Sequence, residues 1–436
     1  MNIPIVIAAY NREHTLSRLL SSLAKAHYPF PVKLIISIDG GGSDEVRSTA
    51  ASFVWEHGEK EVIEHAENLG LRQHILKCGR ITKDYDGIVL LEDDLYVSPW
   101  FYHYTLAALD SYKDTEVICG VSLYSYRFNE TSLLPFVPLD DDSHVFFMQL
   151  PCSWGQAWLK EHWQQFDDWY IDHCNLDYSD DLSLPVNITK WPESSWKKYF
   201  AKYMVETNKF FVYPVNSYTT NFGDRGTHHQ GSRVYQVPLM MTNIDHYFKP
   251  FKDSFLKYDA CCELMPECLN NLCGNRFDIK FSVDLHGTKT RESLSGEFVF
   301  TSKSCHSYLK SFGRNLLPIE LNVACDVPGN DIFLANVDEI KGYGNIHNYI
   351  LERATNIQYQ QYYFGTDTYH YSLLHRAERR INELYQEGQL LEASLRESSR
   401  LIGEIYDSLS WRVTAPFRKS LALLKKFHPH KDNERS

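Results

Sequence analysis

No stretch of this 436-residue sequence approaches the roughly 18 consecutive apolar residues that a membrane-crossing helix needs. Met1-Asn-Ile-Pro runs directly into an apolar pattern, with nothing that resembles a secretory signal. Basic residues are in deficit. The 44 Lys and Arg against 56 Asp and Glu leave a formal charge of −12, which excludes a general nucleic-acid binder. Ten cysteines follow no regular framework. Cys261, Cys262, Cys268 and Cys273 cluster, but the paired C-x-x-C knuckles of a zinc site are missing. These absences describe a cytoplasmic protein with reduced thiols. Gly40 to Gly42 are too irregularly placed for a P-loop or a dinucleotide fingerprint. What the chain has in quantity is core-forming material, 43% hydrophobic and 14% aromatic. That is enough for two or three folded domains.

One stretch organises the rest. Ile88 to Leu91 is a continuous apolar run, as expected of a strand buried on both faces of a parallel sheet. It stops at three carboxylates, Glu92, Asp93 and Asp94. Adjacent acids repel each other, and burying them unpaired is costly. A cation held between them and an anionic ligand relieves both problems. Hard oxygen ligands suit Mg²⁺ or Mn²⁺, which bind through one or two carboxylates plus substrate phosphates. The carboxyl end of a sheet strand is also where open α/β folds hold ligands. A solvated acidic turn before a helix is the plainer alternative.

Upstream, strands are expected over Pro4–Ala9, Val32–Ile38 and Glu61–His65, with helices over Thr15–Ala26, 44–57 and from Asn68 onward. This alternation implies an α/β fold with a doubly wound, mostly parallel sheet. The strand ends collect Tyr10, Asp39, Asp93 and Asp94, with Arg72 in a connecting segment. Residues 105–150 read as a helix followed by an irregular polar-aromatic segment, with Asp140 to Asp142 as a solvated loop. Trp191 to Asn208 reads as a helix with Pro192 near its first turn, and Lys209 to Val215 as a strand.

With these motifs in order, the first 245 or so residues resemble glycosyltransferases of the GT-A fold. The likeness is greatest to family 2 and to the medial-Golgi N-acetylglucosaminyltransferases. The carriers are Ala8-Ala9-Tyr10-Asn11-Arg12, Ile38-Asp39-Gly40, Asn68 to Arg72, the acidic stretch Glu92 to Phe101, Trp154-Gly155 with Trp158, Lys190-Trp191-Pro192, and Phe222-Gly223 with Gly226 and His228. The resemblance implies a Rossmann-like GT-A domain that binds a nucleotide-sugar donor, with a UDP-sugar favoured. Asp39 would hold the base and Asp93 the ribose, with Tyr10 and Arg12 around them and Arg72 among the donor-binding residues. Trp154 and Gly155 would line the sugar. Asp94 would bind Mn²⁺ or Mg²⁺ bridging the donor diphosphate, joined by His229 or its neighbour His228.

The family usually carries an aspartate base just after the tryptophan that corresponds to Trp196. This chain has Lys197-Lys198 there. The candidate bases are Glu193, upstream, and Asp168 of the Asp167-Asp168 pair.

Residues 246–365 read as a small β-rich accessory domain behind a short cysteine-containing helix. Strands are expected over Phe277–Leu285, Glu297–Thr301 and Leu317–Ala324. From Leu374 to Leu409, apolar residues recur in steps of three and four, broken at Gly388 and Ser398. This is a coiled-coil seam over 366–410, or a helix folded back on its own domain. Trp411 to Ser436 holds seven Lys or Arg against two acids, a net of +5. It suits an amphipathic helix on an anionic membrane surface. Ser408 to Arg418 also resembles the tails of bacterial polysaccharide and lipopolysaccharide glycosyltransferases. The expected activity is metal-dependent, inverting sugar transfer to a glycan or lipid-linked acceptor in bacterial surface polysaccharide synthesis. The expected assembly is a homo-oligomer formed through the coiled coil. A sugar nucleotidyltransferase or a degenerate donor-binding scaffold are the alternatives.

Overall fold

A computed structural model of the chain describes residues 1–224, 235–341 and 368–420. The chain divides into two compact units, Met1–Thr366 and Asp367–Ser436.

The first unit is built on a nine-stranded sheet. Its N-terminal half is the expected alternation: β1 (Ile5–Ala9), α1 (Glu13–Ala24), β2 (Leu34–Ile38), α2 (Asp44–Ser52), β3 (Lys60–Glu64), α3 (Gly70–Gly79) and β4 (Gly87–Glu92). Strands β4, β1, β2 and β3 lie side by side and all run parallel. The apolar residues of β1, β2 and β4 are buried on both faces, which is why they read as unbroken runs. Edge strand β3 is only half-buried. Helix α1 turns Leu16, Leu19, Leu20 and Leu23 into the core at helical spacing. Parallel register brings the ends of β1, β2 and β4 to one edge, and Tyr10, Asp39 and Glu92–Asp94 with them.

The C-terminal half departs from expectation. After β5 (Leu95–Val97) and α4 (Phe101–Tyr112) come β6 (Ile118–Ser122), β7 (Phe128–Asn129), β8 (Leu134–Pro135), β9 (Val145–Met148) and β10 (Gln156–Leu159). Residues 105–150 are therefore not simply a helix and an irregular segment, because β6 and β9 are strands of the main sheet. Both are short and fully buried, so neither shows the alternation of a half-exposed strand. β10 runs antiparallel between β4 and β6. Then follow α5 (Lys160–His173), α6 (Val186–Thr189), α7 (Trp196–Glu206), β11 (Phe210–Pro214) and β12 (Thr219–Asn221). Helix α7 starts at Trp196, so Pro192 and Glu193 lie in the turn before it rather than in its first turn. Asp141 is buried rather than solvated. It accepts from the Ser143 amide at 3.2 Å and the Ser254 hydroxyl at 2.8 Å.

The main sheet continues past residue 245, because β13 (Lys257–Tyr258) pairs with β9. α8 (Pro266–Leu272) carries Cys268. β14 (Phe281–Asp284), β15 (Phe298–Thr301), β16 (Lys310–Phe312) and β17 (Ile332–Asn336) form a separate four-stranded sheet in the order β14-β15-β17-β16. The strand expected over Leu317–Ala324 is instead a helix, α9 (Glu320–Ala324). Asn322 ties its start to the preceding turn, accepting from the amides of Asn315 and Leu316. The apolar spacing of so short a segment fits either element.

The second unit contains α10 (Thr368–Asp407) and α11 (Leu409–Val413). Ser408 breaks the two apart and accepts from the Trp411 amide, an N-cap contact. Leu409 therefore falls outside the long helix. Leu384, Leu391, Leu395, Ile402 and Ile405 are exposed on α10. Residues 421–436 of the basic tail lie outside the described residues. Among the described residues, no helix is long and apolar enough to cross a membrane.

Candidate active site

The acidic end of β4 is organised by one arginine. Glu92 is the last residue of β4 and lies opposite Ala8 of β1. Asp93 and Asp94 turn the chain into β5, which pairs with β12 so that Leu95 faces Asn221. Arg12, three residues beyond β1, bridges the two aspartates. One guanidinium nitrogen reaches Asp93 Oδ1, and the other reaches Asp94 Oδ2 at 2.8 Å. Asp93 is buried and also receives the Tyr10 amide at 3.4 Å. Asp94 Oδ1 is buried and has no partner among the described residues.

Burial pushes the Glu92 carboxyl up to about 8. Asp94 and Asp93 add to the shift, and Arg12 and Lys197 oppose it. Burial likewise pushes Asp93 up to about 6, against the pull of Arg12. Arg12 itself is burdened by burial, but Asp94 and Asp93 outweigh this and raise it further. Burial raises both Glu92 and Asp93, and Arg12 opposes the rise while pairing with Asp93 and Asp94. The expected mutual repulsion is therefore relieved in part by Arg12.

Asp39 is buried at the end of β2 and is fully engaged by backbone. Oδ1 accepts from the amides of Gly40 at 2.9 Å and Leu69 at 2.8 Å, and Oδ2 accepts from Gly70 at 3.0 Å. It thereby pins the start of α3, satisfying amides that a helix N-terminus leaves free. Gly70 sits at φ +71°, in the left-handed region that glycine accepts. Asn68 joins this group by donating to the Tyr10 hydroxyl at 3.0 Å. Arg72, one turn into α3, lies over the ring of Tyr199 in α7 at 4.9 Å, and its Nη1 is buried without a partner among the described residues.

Across the sheet, the register of β10 pairs Gln156 with Leu90. Trp154 lies two residues before β10, next to the point where the chain leaves the strand at Gly155. The half-buried Trp154 packs on Tyr124 at 4.8 Å and Tyr235 at 4.5 Å. Gly155 has φ +94°, and a Cβ there would stand 2.8 Å from Thr219 Cγ2. The Lys197 ammonium lies 5.3 Å from the Trp154 ring centre and 4.7 Å from that of Trp191. The turn 191–197 therefore borders Trp154.

The two base candidates separate. Glu193, in that turn, accepts from Lys198 Nζ at 2.7 Å and from the Tyr199 hydroxyl. Burial tends to raise its carboxyl, but the bonds from Lys198 and Tyr199 outweigh this and lower it. Asp168 is exposed on α5 and accepts from Gln164 at 2.7 Å. Its neighbour Asp167 pairs with Arg80, just beyond the C-terminal end of α3 and remote from Asp39. His228 and His229 lie outside the described residues.

Sequence reasoning missed two features. One is the use of Arg12 as the counter-ion of both aspartates. The other is the placement of Lys197 between two tryptophans. The doubled lysine was the only signal for the second.

Residues 5–160 match the family model described as Glycosyl transferase family 2. This stretch is similar to family 2 glycosyltransferase domains. It contains the alternating strands β1 to β4, the acid cluster, Trp154, Gly155 and all of β10. No curated protein matches the chain by sequence. Among solved structures, S. aureus TarS 1-349 has 14% identity over 50% of this chain and 60% of its own, with a TM-score of 0.34. The mannosyltransferase PcManGT from Pyrobaculum calidifontis, in complex with GDP-Man and Mn²⁺, has 12% identity over 38% of this chain and 46% of its own, with a TM-score of 0.28. GalNAc-T7, with UDP, GalNAc and Mn²⁺, has 13% identity over 49% of this chain and 42% of its own, with a TM-score of 0.35. The chain thus covers 60% of the length of TarS 1-349.

Proposed function

We propose that the chain transfers a sugar from a nucleotide-sugar, a UDP-sugar foremost, to a glycan or lipid-linked acceptor in bacterial surface polysaccharide synthesis, with inversion at the anomeric carbon. The observation that carries this reading is the acid cluster at the end of β4 inside the stretch similar to family 2 domains. There a buried Asp94 oxygen is left without a partner beside an otherwise satisfied Arg12–Asp93 pair. A divalent ion held by one carboxylate oxygen and a diphosphate fits that free oxygen. Asp94, with His229, would hold Mn²⁺ or Mg²⁺, which supplies Lewis-acid stabilisation of the departing diphosphate.

Tyr10, Arg12, Asp39 and Asp93 form the nucleoside end of the site. Arg72, Trp154 and Gly155 line its sugar end. Glu193 accepts the proton of the attacking hydroxyl on a carboxylate oxygen. It is preferred to Asp168 because its turn adjoins Trp154, whereas Asp168 lies beside the far end of α3. Hydrolysis of a panel of nucleotide-sugars with Mn²⁺ or Mg²⁺ tests the activity, and the absence of any turnover would defeat it. Glu193→Gln should keep donor affinity and lower transfer about 10²-fold, the scale of general-base loss. Asp168→Asn should leave transfer unchanged. The reverse result would move the base to Asp168. A second reading, a donor-binding scaffold without turnover, draws on the engagement of both Glu193 oxygens by Lys198 and Tyr199. Tight nucleotide binding without hydrolysis or transfer would select it.

Residues 1–245 are assigned as the catalytic domain, with β13 from the following segment completing its sheet, and the rest of 246–365 as an accessory domain. The exposed leucines and isoleucines of α10 support a coiled-coil homo-oligomer over 366–410. Removing 368–436 should lower the oligomeric mass in light scattering, and an unchanged mass would count against it. The basic residues of 411–436 support peripheral contact with anionic membrane at the cytoplasmic face. Binding to anionic liposomes that ignores salt would count against that.

A further inference from the structure

We infer that Lys197 is an anion-binding residue of the candidate site, holding a phosphate or carboxylate oxygen of one of the two reactants next to Trp154. Two features of its surroundings carry this. The ammonium lies over two indole faces, Trp154 at 5.3 Å and Trp191 at 4.7 Å. Such contacts fix a cation in place and stabilise it by about 0.5–2 kcal/mol, but they do not neutralise it. Its neighbour Lys198, in contrast, is buried against Glu193 at 2.7 Å. Among the described residues no carboxylate comes within ion-pair distance of Lys197, and the first turn of α7 holds no acid. Glu92 feels the Lys197 charge, but no carboxylate among the described residues pairs with the ammonium, and a half-buried, positioned charge without a direct partner is costly unless an anion meets it.

The location says whose anion it is. The Lys197 ammonium lies over Trp154, just before β10, and Glu92 at the end of β4 feels its charge, so Lys197 overlooks the sugar end of the acid cluster. An anion there belongs either to the donor diphosphate or to an acidic group on the sugar being joined. The inference rests on the glycosyltransferase reading and adds to it a charge requirement on the substrate.

The test uses the full chain and its Lys197→Met and Lys197→Arg variants, titrated calorimetrically with UDP, uridine and glucuronic acid. Lys197→Met should weaken one anionic probe about 10-fold, the scale of a lost charge-assisted hydrogen bond. Uridine binding should be unchanged, and Lys197→Arg should restore the affinity. Weakened UDP binding assigns the anion to the diphosphate. Weakened glucuronate binding with UDP intact assigns it to an acidic sugar. Equal losses for uridine and UDP would overturn the inference, and so would unchanged affinity for both anions. A lower melting temperature with unchanged anion affinity would make Lys197 a structural prop and also overturn it. A wild-type chain that binds neither UDP nor uridine would defeat the glycosyltransferase reading. The glucuronate titration would still decide the role of Lys197.

Discussion

The first unit buries two sets of charges, and they differ in one respect. At the end of β4, Arg12 meets Asp93 and Asp94 with about a quarter of its own and the Asp94 side chain exposed, 29% and 25%. Behind β14, the Asp284–Lys303 pair at 3.1 Å has side chains 0% and 5% exposed. Close by in sequence and space, His286 pairs with Glu263 at 3.0 Å, and Lys289 pairs with Asp259 and also bonds the Val283 carbonyl. Both sets contain carboxylate oxygens with no partner among the described residues, on Asp94 in one and on Glu263 and Glu320 in the other. An unpartnered oxygen is therefore not what marks a site. Asp94 is set apart because its side chain also reaches solvent, where a ligand can arrive. The sealed pairs, Asp284–Lys303 and Glu263–His286, hold charge where only the fold can use it.

The largest effect should come from breaking the sealed set. Lys303→Met leaves Asp284 buried beside Glu263 without its main counter-charge. Burial already pushes Asp284 up to about 6 against the pull of Lys303. Loss of one partner of a buried pair costs about 3–5 kcal/mol, to be read from urea unfolding. Nucleotide affinity of the folded fraction should not change. A variant as stable as the wild type would erase the distinction between the two sets.

Asp94→Asn should do the opposite. It removes a partly exposed acid whose second oxygen has no partner among the described residues. The unfolding free energy should move by less than about 1 kcal/mol. The gain in UDP affinity on adding Mn²⁺ should fall by about 10²-fold, the upper range seen when even a supporting residue of a metal site is lost. Calorimetry with and without the metal measures this. Metal dependence that survives the substitution would remove Asp94 from the site.

The legibility of the sequence follows the same divide. β1, β2 and β4 could be read because parallel strands buried on both faces are continuous apolar runs that end abruptly in polar residues. The acid cluster could be read because three adjacent carboxylates are conspicuous in such a place. β6 and β9 could not be read, since four or five buried residues carry no period. The strand expected over Leu317–Ala324 became α9 for the same reason. Arg12 looked like one more strand-end residue. Its role as counter-ion depends on β1 lying next to β4, a long-range pairing that no local pattern records. The sealed set was invisible too. Asp259, Glu263, Asp284, His286, Lys289 and Lys303 are scattered along a segment that reads as ordinary polar punctuation, and the fold alone gathers them. Asp141 was misread as a solvated loop residue because its partner, Ser254, lies more than a hundred residues away.

The most diagnostic effect concerns Glu320, at the start of α9. Its side chain is buried, with Oε2 unpartnered among the described residues. Burial pushes its carboxyl from 4.5 up to about 7, against a weaker pull from its own backbone and from His286, while Glu263 adds to the rise. Its folded pKa thus lies above its unfolded one. Between these values the folded state binds more protons than the unfolded state, so stability falls as pH rises from about 4.5 to 7 and levels off above. Glu263 and His286 shift as partners instead. On Glu263, burial is outweighed by His286 and the carboxyl is lowered. On His286, burial is outweighed by Glu263 and the ring is raised. The Glu263 contribution is therefore present above its unfolded value and lost in acid. The His286 contribution is present below its unfolded value and lost as pH rises through its folded one. Glu320→Gln cannot titrate. It should match the wild type near pH 4.5 and exceed it by roughly 3 kcal/mol near pH 8. Urea unfolding of both proteins at the two pH values measures the difference. Parallel pH profiles would mean that Glu320 does not titrate in the sealed set. A wild-type advantage that grows with pH would mean its ionised form has a partner there, and the sealed set would then be satisfied rather than strained.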